Sequence, residues 1–373
     1  MSRSYRHLAA IAVLLALSSV RIVAQERLIL FDTYLDSDGK VVGPGEIRDV
    51  EIAQGGRSWS VVRSVLIPAH YGGPAVALAD GSRVLWLAIL GGFFGPPPRS
   101  VLAQYDLGTG RASFIDVGEF ESGATVLADR TTTRAFVVED HKLTVILPSL
   151  QTRSITLPGA ARKVTAFMAD RQIILQRCCT NDAGAREIIT IDPETLRIVR
   201  SIPLDRDPGS LTFSRDGERM YRRYCARHGN GCEEQRLDLI SLHTGELLAR
   251  LDVTHASLGH LFEVYDDRGV IIHDQIGSAA IVVRDARTLK LRGELAPAAL
   301  ADRIGYGVTE TPTERALLVF SQQPFRYRSD IRPCNAPGGA PRFDIFDGKT
   351  LEHLNRIDLQ GRCPSVVPIP PHR

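Results

Sequence analysis

Three histidines and a carboxylate fall close together in the chain: His255, His260 and the adjacent His273-Asp274. Imidazoles beside a carboxylate are groups that hold a divalent metal or pass a proton. Their spacing matches no metal-binding pattern, and the alternative is that they are solvated or hydrogen-bonded loop residues. No metal site and no catalytic residue is assigned from them. Six cysteines, Cys178, Cys179, Cys225, Cys232, Cys334 and Cys363, form no Cys-x-x-Cys or Cys/His cluster of the zinc type. The chain has no Gly-x-Ser-x-Gly elbow, phosphate-binding loop or dinucleotide fingerprint, and no cofactor is expected. Two further groups suit binding. Phe93 and Phe94 stand between Gly91-Gly92 and the stiff run Pro96-Pro97-Pro98, either as exposed anchors or folded back onto their own sheet. Arg326, Tyr327 and Arg328 offer a polar, cation-bearing rim.

The chain opens with Arg3 and Arg6, an apolar run over 8–17, and Ile22-Val23-Ala24. That run is too short to span a bilayer, so residues 1–24 read as a secretory signal cleaved after Ala24, leaving 25–373 as the mature chain. No cysteine precedes Cys178, which argues against a lipid-modified N-terminus. The whole chain carries 45 Lys and Arg against 43 Asp and Glu, and loss of Arg3, Arg6 and Arg21 brings the remainder close to neutrality. Without a basic run, neither nucleic acid nor an anionic membrane surface is an expected partner. The expected location is periplasmic or extracellular, with no stable membrane insertion after cleavage.

What must position these residues is a repeat, seen most fully over 209–253. It reads as four short antiparallel strands, with tight turns at Asp216-Gly217 and His243-Thr244-Gly245. The turn before each fourth strand recurs as Asp106…Thr109, Ser149…Thr152, Asp192…Thr195, Ser241…Thr244, Asp285…Thr288 and Asp347…Thr350. A second series keeps the same cadence: Asp80, Asp129, Asp170, Asp216, Asp267 and Pro312. A period of this size is that of propeller blades. Six units cover most of the chain, the N-terminal piece lacks a first strand, and residues 364–370 form a spare one. The expected fold is therefore all-β, a single domain of seven four-stranded antiparallel blades, with the C-terminal strand completing the N-terminal blade and removing open sheet edges.

Arg134-Ala-Phe-Val-Val-Glu-Asp140, Leu143-Thr-Val-Ile-Leu147 and the turn at 214–221 resemble the repeat of YVTN-type propellers, with lactonase-like and WD40-like rings behind it. The sequence departs from that repeat at Glu139-Asp140, where the family has Asn. The resemblance implies that second-to-third-strand loops and inter-blade connections share one face. Insertions at 90–100, 178–185, 225–234 and 322–341 would then share it too, and so would all six cysteines. In an exported chain these read as disulfides. Cys225 with Cys232 would clamp a hairpin, Cys334 with Cys363 would tie a loop to the closing strand, and Cys178-Cys179 is a candidate vicinal pair. A vicinal pair also occurs in quinone-dependent alcohol dehydrogenases, but only Trp59 and Trp86 are present and their repeated Trp motif is missing. The expectation is an exported binding or scaffold protein that recognises a protein, peptide or glycan on its loop-rich face, more in keeping with a non-enzyme. Candidate ligand-binding residues are Phe93, Phe94, His255, His260, His273, Arg326 and Tyr327. The rival expectation is a lactonase-like or metal-dependent enzyme acting at the channel mouth.

Overall fold

The structure is a computed structural model. It describes residues 26–32, 45–53, 56–67, 70–71, 75–90, 99–121, 123–158, 163–178, 186–204, 209–228, 232–254, 258–265, 270–275, 281–295, 304–310, 316–322, 342–359 and 364–370. The expected signal segment 1–24 lies outside them.

Every described element is a strand, and the strands form antiparallel sheets in chain order. Sheet one is Pro364–Ile369, Glu26–Asp32, Gly45–Ala53 and Ser58–Ile67. Sheet three is Thr125–Ala128, Ala135–Val138, Lys142–Ile146 and Thr152–Thr156. Sheet four is Lys163–Met168, Ile173–Cys178, Arg186–Ile191 and Ile198–Leu204. Sheet five is Ser210–Phe213, Arg219–His228, Cys232–Ser241 and Leu247–Thr254. Sheet six is Leu258–Tyr265, Val270–Gln275, Ile281–Asp285 and Leu291–Glu294. Sheet seven is Ile304–Glu310, Ala316–Gln322, Arg342–Asp347 and His353–Asp358.

Sheet two corrects the expectation of seven equal four-stranded blades: among the described residues the four-stranded blades number six. In sheet two His70–Tyr71 and Val76–Ala77 each pair with Arg83–Leu90, at opposite ends of it, and with Arg99–Asp106 and Arg111–Phe120 they give five described strands.

Closure follows the sequence. Pro364–Ile369 pairs antiparallel with Glu26–Asp32, from Arg27 opposite Ile369 to Asp32 opposite Pro364. Alternate residues of Glu26–Asp32 serve different neighbours: Ile29 and Phe31 pack with Val84 and Trp86 of sheet two, while Leu28 and Leu30 pack with Ala316, Leu318 and Phe343 of sheet seven. The Asn355 side-chain amide also donates to the Arg57 carbonyl at 2.8 Å, bridging sheet seven to sheet one.

Middle strands are apolar on both faces because each sheet is covered by a neighbour on either side. Ala135–Val138 is buried throughout, and so are Ile173, Ile174 and Leu175. Outer strands such as Thr152–Thr156 are mostly exposed. The core is thus a series of layers between sheets, with Phe136, Val138, Ile189 and Ile191 in one and Ile188, Phe213 and Met220 in the next.

The recurrent turn is built by its aspartate. The Thr109, Thr195, Thr288 and Thr350 amides donate to Asp106, Asp192, Asp285 and Asp347 at 2.7–2.8 Å, and the Thr244 amide donates to Ser241 Oγ at 3.1 Å. The next residue has positive φ and donates its amide back to the Asp or Ser carbonyl: Gly110, Leu196, Gly245, Leu289 and Leu351. A leucine in that conformation costs about 1 kcal/mol. Burial offsets it, since Leu289 packs with Tyr221, Leu237 and Leu239 of the preceding sheet. Sheet three departs from the expected alignment. Its turn closes from Leu147 to Gln151 with Leu150 at positive φ, and Thr152 already begins the outer strand.

Candidate functional site

The register places the four insertions. They join Leu90 to Arg99, Cys178 to Arg186, the ends of the hairpin at His228 and Cys232, and Gln322 to Arg342, in each case a second strand to a third. With the strand order the same in every sheet, all four leave the ring on one face. The Asp/Thr turns lie on the other.

Phe93, Phe94, His255, Arg326, Tyr327, Cys334 and Cys363 lie outside the described residues. His260 belongs to the inner strand of sheet six, Leu258–Tyr265. His273 lies on the adjacent strand, opposite Phe262 and Val282. The backbone therefore brings His260 and His273 onto neighbouring strands.

Sheet five supplies the described part of the insertion face. Cys225 and Cys232 form a disulfide with their Cα atoms 5.6 Å apart, so much of the 225–234 insertion is an extension of paired strands rather than a free loop. Cys178 is also disulfide-bonded, its partner lying outside the described residues. Below the disulfide, cross-strand rows put Arg222, Asp238 and Arg250 together, and Tyr224, Arg236 and Asp252 together, on the same face of the sheet. The Arg222 guanidinium lies over the Tyr224 ring at 4.5 Å. Arg250 grips Asp238 with two bonds of 2.7 and 3.0 Å and reaches Tyr224 Oη at 3.4 Å. Arg236 bonds Asp252 at 2.9 Å and Glu234 at 2.8 Å. Hydrogen bonding to Asp238 raises the Arg250 pKa, and hydrogen bonding to Tyr224 raises that of Arg236. Nearer the turns the same sheet face carries Met220 and Ile240, which pack on sheet four.

This cationic and aromatic patch was missed in the sequence. Its signal is the alternation Met220, Arg222, Tyr224, where an apolar stripe turns polar towards the insertion end. On sheet four, fully buried Arg177 pairs with Glu187 at 2.8 Å, and Ser201 donates to the same carboxylate at 2.8 Å. His141, in the middle turn of sheet three, approaches Glu121 just after the outer strand of sheet two to 3.2 Å, and Lys142 and Glu139 of sheet three approach to 3.1 Å. Such pairs can fix a recognition surface, and the described ones hold no cluster of three metal-ligating side chains.

A cavity of about 670 Å³ opens between sheets four and five on the tight-turn face. Three of its charged residues are engaged in the fold: Arg200 donates to the Leu242 and His243 carbonyls at 2.5 and 2.7 Å, and Arg219 pairs with Asp216 at 3.1 Å.

No family model matches the sequence, and no curated protein sequence matches it. Solved structures do resemble the fold. A candidate 6-phosphogluconolactonase from Bacteroides fragilis superposes with a TM-score of 0.53 at 12% identity, over 92% of this chain and 96% of that one. The dihydro-heme d1 dehydrogenase NirN, in complex with DHE, gives 0.51 at 13% identity, over 90% of this chain and 74% of that one. At these identities the likeness is one of fold: the chain is a β-propeller.

Proposed function

We propose that this chain is an exported propeller that captures a protein, peptide or glycan on its insertion-bearing face, with residues 1–24 as the export signal. The observation that supports it most is that insertions in four separate sheets connect second to third strands and so share one face, above a ring whose other face is made of short turns. Loops elaborated on one side of a rigid scaffold are where recognition concentrates.

The hairpin of sheet five adds a physical reason. A disulfide-clamped extension with an Arg-Tyr stack at its base loses little conformational entropy when it docks, and Arg and Tyr are the side chains that contribute most per contact at interfaces. Phe93 and Phe94 are proposed as the apolar anchor of that face, and Arg326 and Tyr327 as part of its rim.

The test is photo-crosslinking from a defined position on each face. A crosslinker replacing exposed Arg227, on the insertion face, should yield a discrete adduct in the native extract, and one replacing exposed Val199, on the turn side, should not. Changing Phe93 and Phe94 together to Ser should abolish that adduct in a protein that still folds. Adducts from Val199 alone, or an adduct indifferent to both phenylalanines, would overturn this reading of the surface.

A further inference from the structure

The outermost strand of each sheet is an edge whose outward amides and carbonyls can pair with another chain. In six of the seven sheets the described pairing of that strand is interrupted by a bulge, with the extra residues at Val62, at 116–118, and at Val199, Leu248, Arg292 and Leu354. A bulge twists an edge away from an incoming strand. Sheet three has none: Thr152–Thr156 pairs residue for residue with Lys142–Ile146.

The reason lies in the turn. In sheets four to seven the amides of Asp192, Ser241, Asp285 and Asp347 each bond a carbonyl five residues on, and the outer strand takes up the longer turn in its bulge two residues later. In sheet three the Leu147 amide bonds the carbonyl of Gln151, four residues on, and the strands leave the turn already in step.

The same bonds fix which groups face outward. The Leu147 amide reaches Gln151 and the Leu157 amide reaches His141, so Gln151 and Leu157 are hydrogen-bonded positions of the pair. Such positions alternate in an antiparallel ladder. Arg153 and Ile155 therefore bond inward, to Val145 and Leu143, and the amides and carbonyls of Thr152, Ser154 and Thr156 point away from the sheet. Among the described residues no strand pairs with them, and all three are exposed.

Arg153 sets the chemistry of the partner. It is exposed and has no ion pair among the described residues. A strand added antiparallel bonds to Thr152, Ser154 and Thr156, which makes the place opposite Arg153 a non-hydrogen-bonded position, where side chains stand closest. A carboxylate there pairs with the guanidinium. A second copy aligned over the whole strand sets Ile155 opposite Arg153 instead and supplies no carboxylate.

We propose that the outer edge of sheet three takes an extended acidic segment of another protein as a fifth, antiparallel strand, with a carboxylate side chain opposite Arg153 and an apolar one opposite Ile155. This edge lies on the circumference of the ring, apart from the insertion-bearing face. Main-chain bonds supply the affinity and the Arg153 row supplies the selectivity.

The experiment titrates the isotope-labelled full chain with two capped peptides, Ser-Thr-Val-Thr-Glu-Thr-Ser and the same sequence with Lys for Glu, and reads amide shifts by NMR. The Glu peptide should shift Thr152, Ser154 and Thr156 above all, with a dissociation constant of about 1 mM or below. The Lys peptide should bind at least about fivefold more weakly, the scale of a cross-strand charge pair. Changing Ser154 to Pro removes an outward amide and no ladder bond, so the ring should melt as before while the Glu peptide binds at least about tenfold more weakly. Arg153→Glu should reverse the preference in favour of the Lys peptide, and this reversal decides if the proline variant does not fold. Shifts centred elsewhere, equal affinity for the two peptides, no saturable binding below about 10 mM, or an affinity untouched in the folded proline variant would each overturn the proposal. So would a dimer of the natural chain that the proline variant abolishes, since the edge would then pair with its own copy.

Discussion

The phenol of Tyr221 donates to the carbonyl oxygen of Ala286 at 3.0 Å, and both residues are fully buried. Ala286 follows the turn aspartate of sheet six, so the bond latches one sheet to the turn of the next. The same carbonyl is taken at other junctions by different donors: Leu107 by Arg27 at 3.5 Å, Pro193 by Arg134 at 3.2 Å and Leu242 by Arg200 at 2.5 Å. Phe136 occupies the position of Tyr221 in sheet three and has no hydroxyl, which is why Arg134 makes the bond there. Each latch satisfies an acceptor that the turn leaves over, and fixes how adjacent sheets are offset.

Changing Tyr221 to Phe keeps the ring in its layer but leaves the buried Ala286 carbonyl without this donor. Loss of about 1–3 kcal/mol of unfolding free energy is expected, the cost of an unsatisfied buried acceptor. Urea denaturation followed by tryptophan fluorescence reads it directly, and a variant as stable as the parent would remove the latch from the account.

Ring closure rests on Pro364–Ile369 standing between Glu26–Asp32 and the axis. Deleting residues 361–373 exposes the ladder edge of Glu26–Asp32 and uncovers Ile29 and Phe31, which pack with Val367 and Ile369. The truncated chain should aggregate or melt at least about 10 °C lower, since several buried side chains at 1.5–3 kcal/mol each lose cover. An unchanged midpoint in soluble truncated protein contradicts closure by this strand.

Asp129 gives a pH signature. Burial alone would raise its carboxyl, but the amide and hydroxyl of Thr131, the Thr132 side chain and the Arg134 guanidinium hold it at about 2 against an ordinary 3.8. A depressed carboxyl stabilises the fold above its unfolded value and loses that contribution as pH falls through its folded value. The difference is worth about 2 kcal/mol. Comparing the natural chain with Asp129→Asn by denaturation, the gap should be near that size at pH 6, narrow below pH 4 and close near pH 2. A gap constant across that window would mean that the charge of Asp129 contributes nothing.

The turn chemistry was legible in the sequence because Asp192 and Thr195, or Asp285 and Thr288, sit three apart and bond within one turn. Two of the aligned positions were offset for a physical reason. Asp129 begins its turn by donating its amide to the Arg134 carbonyl, whereas Asp80 and Asp216 lie two residues inside turns that begin at Leu78 and Ser214. Composition alone does not separate these places. The latches were not legible at all, because Arg27, Arg134, Arg200 and Tyr221 come from different strand positions and share only the carbonyl they reach. The patch at Arg222, Tyr224 and Arg250 needs the register of three strands before it becomes a surface. In sheet two, that His70–Tyr71 and Val76–Ala77 both pair with Arg83–Leu90 depends on register, which composition does not give.

The Cys225–Cys232 bond is the closing feature of the sheet-five hairpin, and its effect should be local. Below it the ladder runs without interruption from Arg219 opposite Ser241 to Cys225 opposite Gln235, and in that stretch Met220 and Ile240 pack on sheet four while Tyr221, Leu237 and Leu239 pack on sheet six. Beyond Cys225 the register shifts at Arg227 and again at His228, so the end of the hairpin has few ladder contacts of its own. Closing so short a loop is worth about 2.5 kcal/mol at most in the chain-entropy account. Changing both cysteines to Ser should therefore leave a folded ring with Met220, Tyr221 and Leu237 still protected, while amides at Arg227, Glu233 and Glu234 exchange at least about tenfold faster. Hydrogen exchange with peptide-level mass spectrometry separates these regions. Loss of protection throughout sheet five would make the disulfide a determinant of the whole blade, and unchanged exchange at the hairpin end would show that the bond does not order the face proposed for recognition.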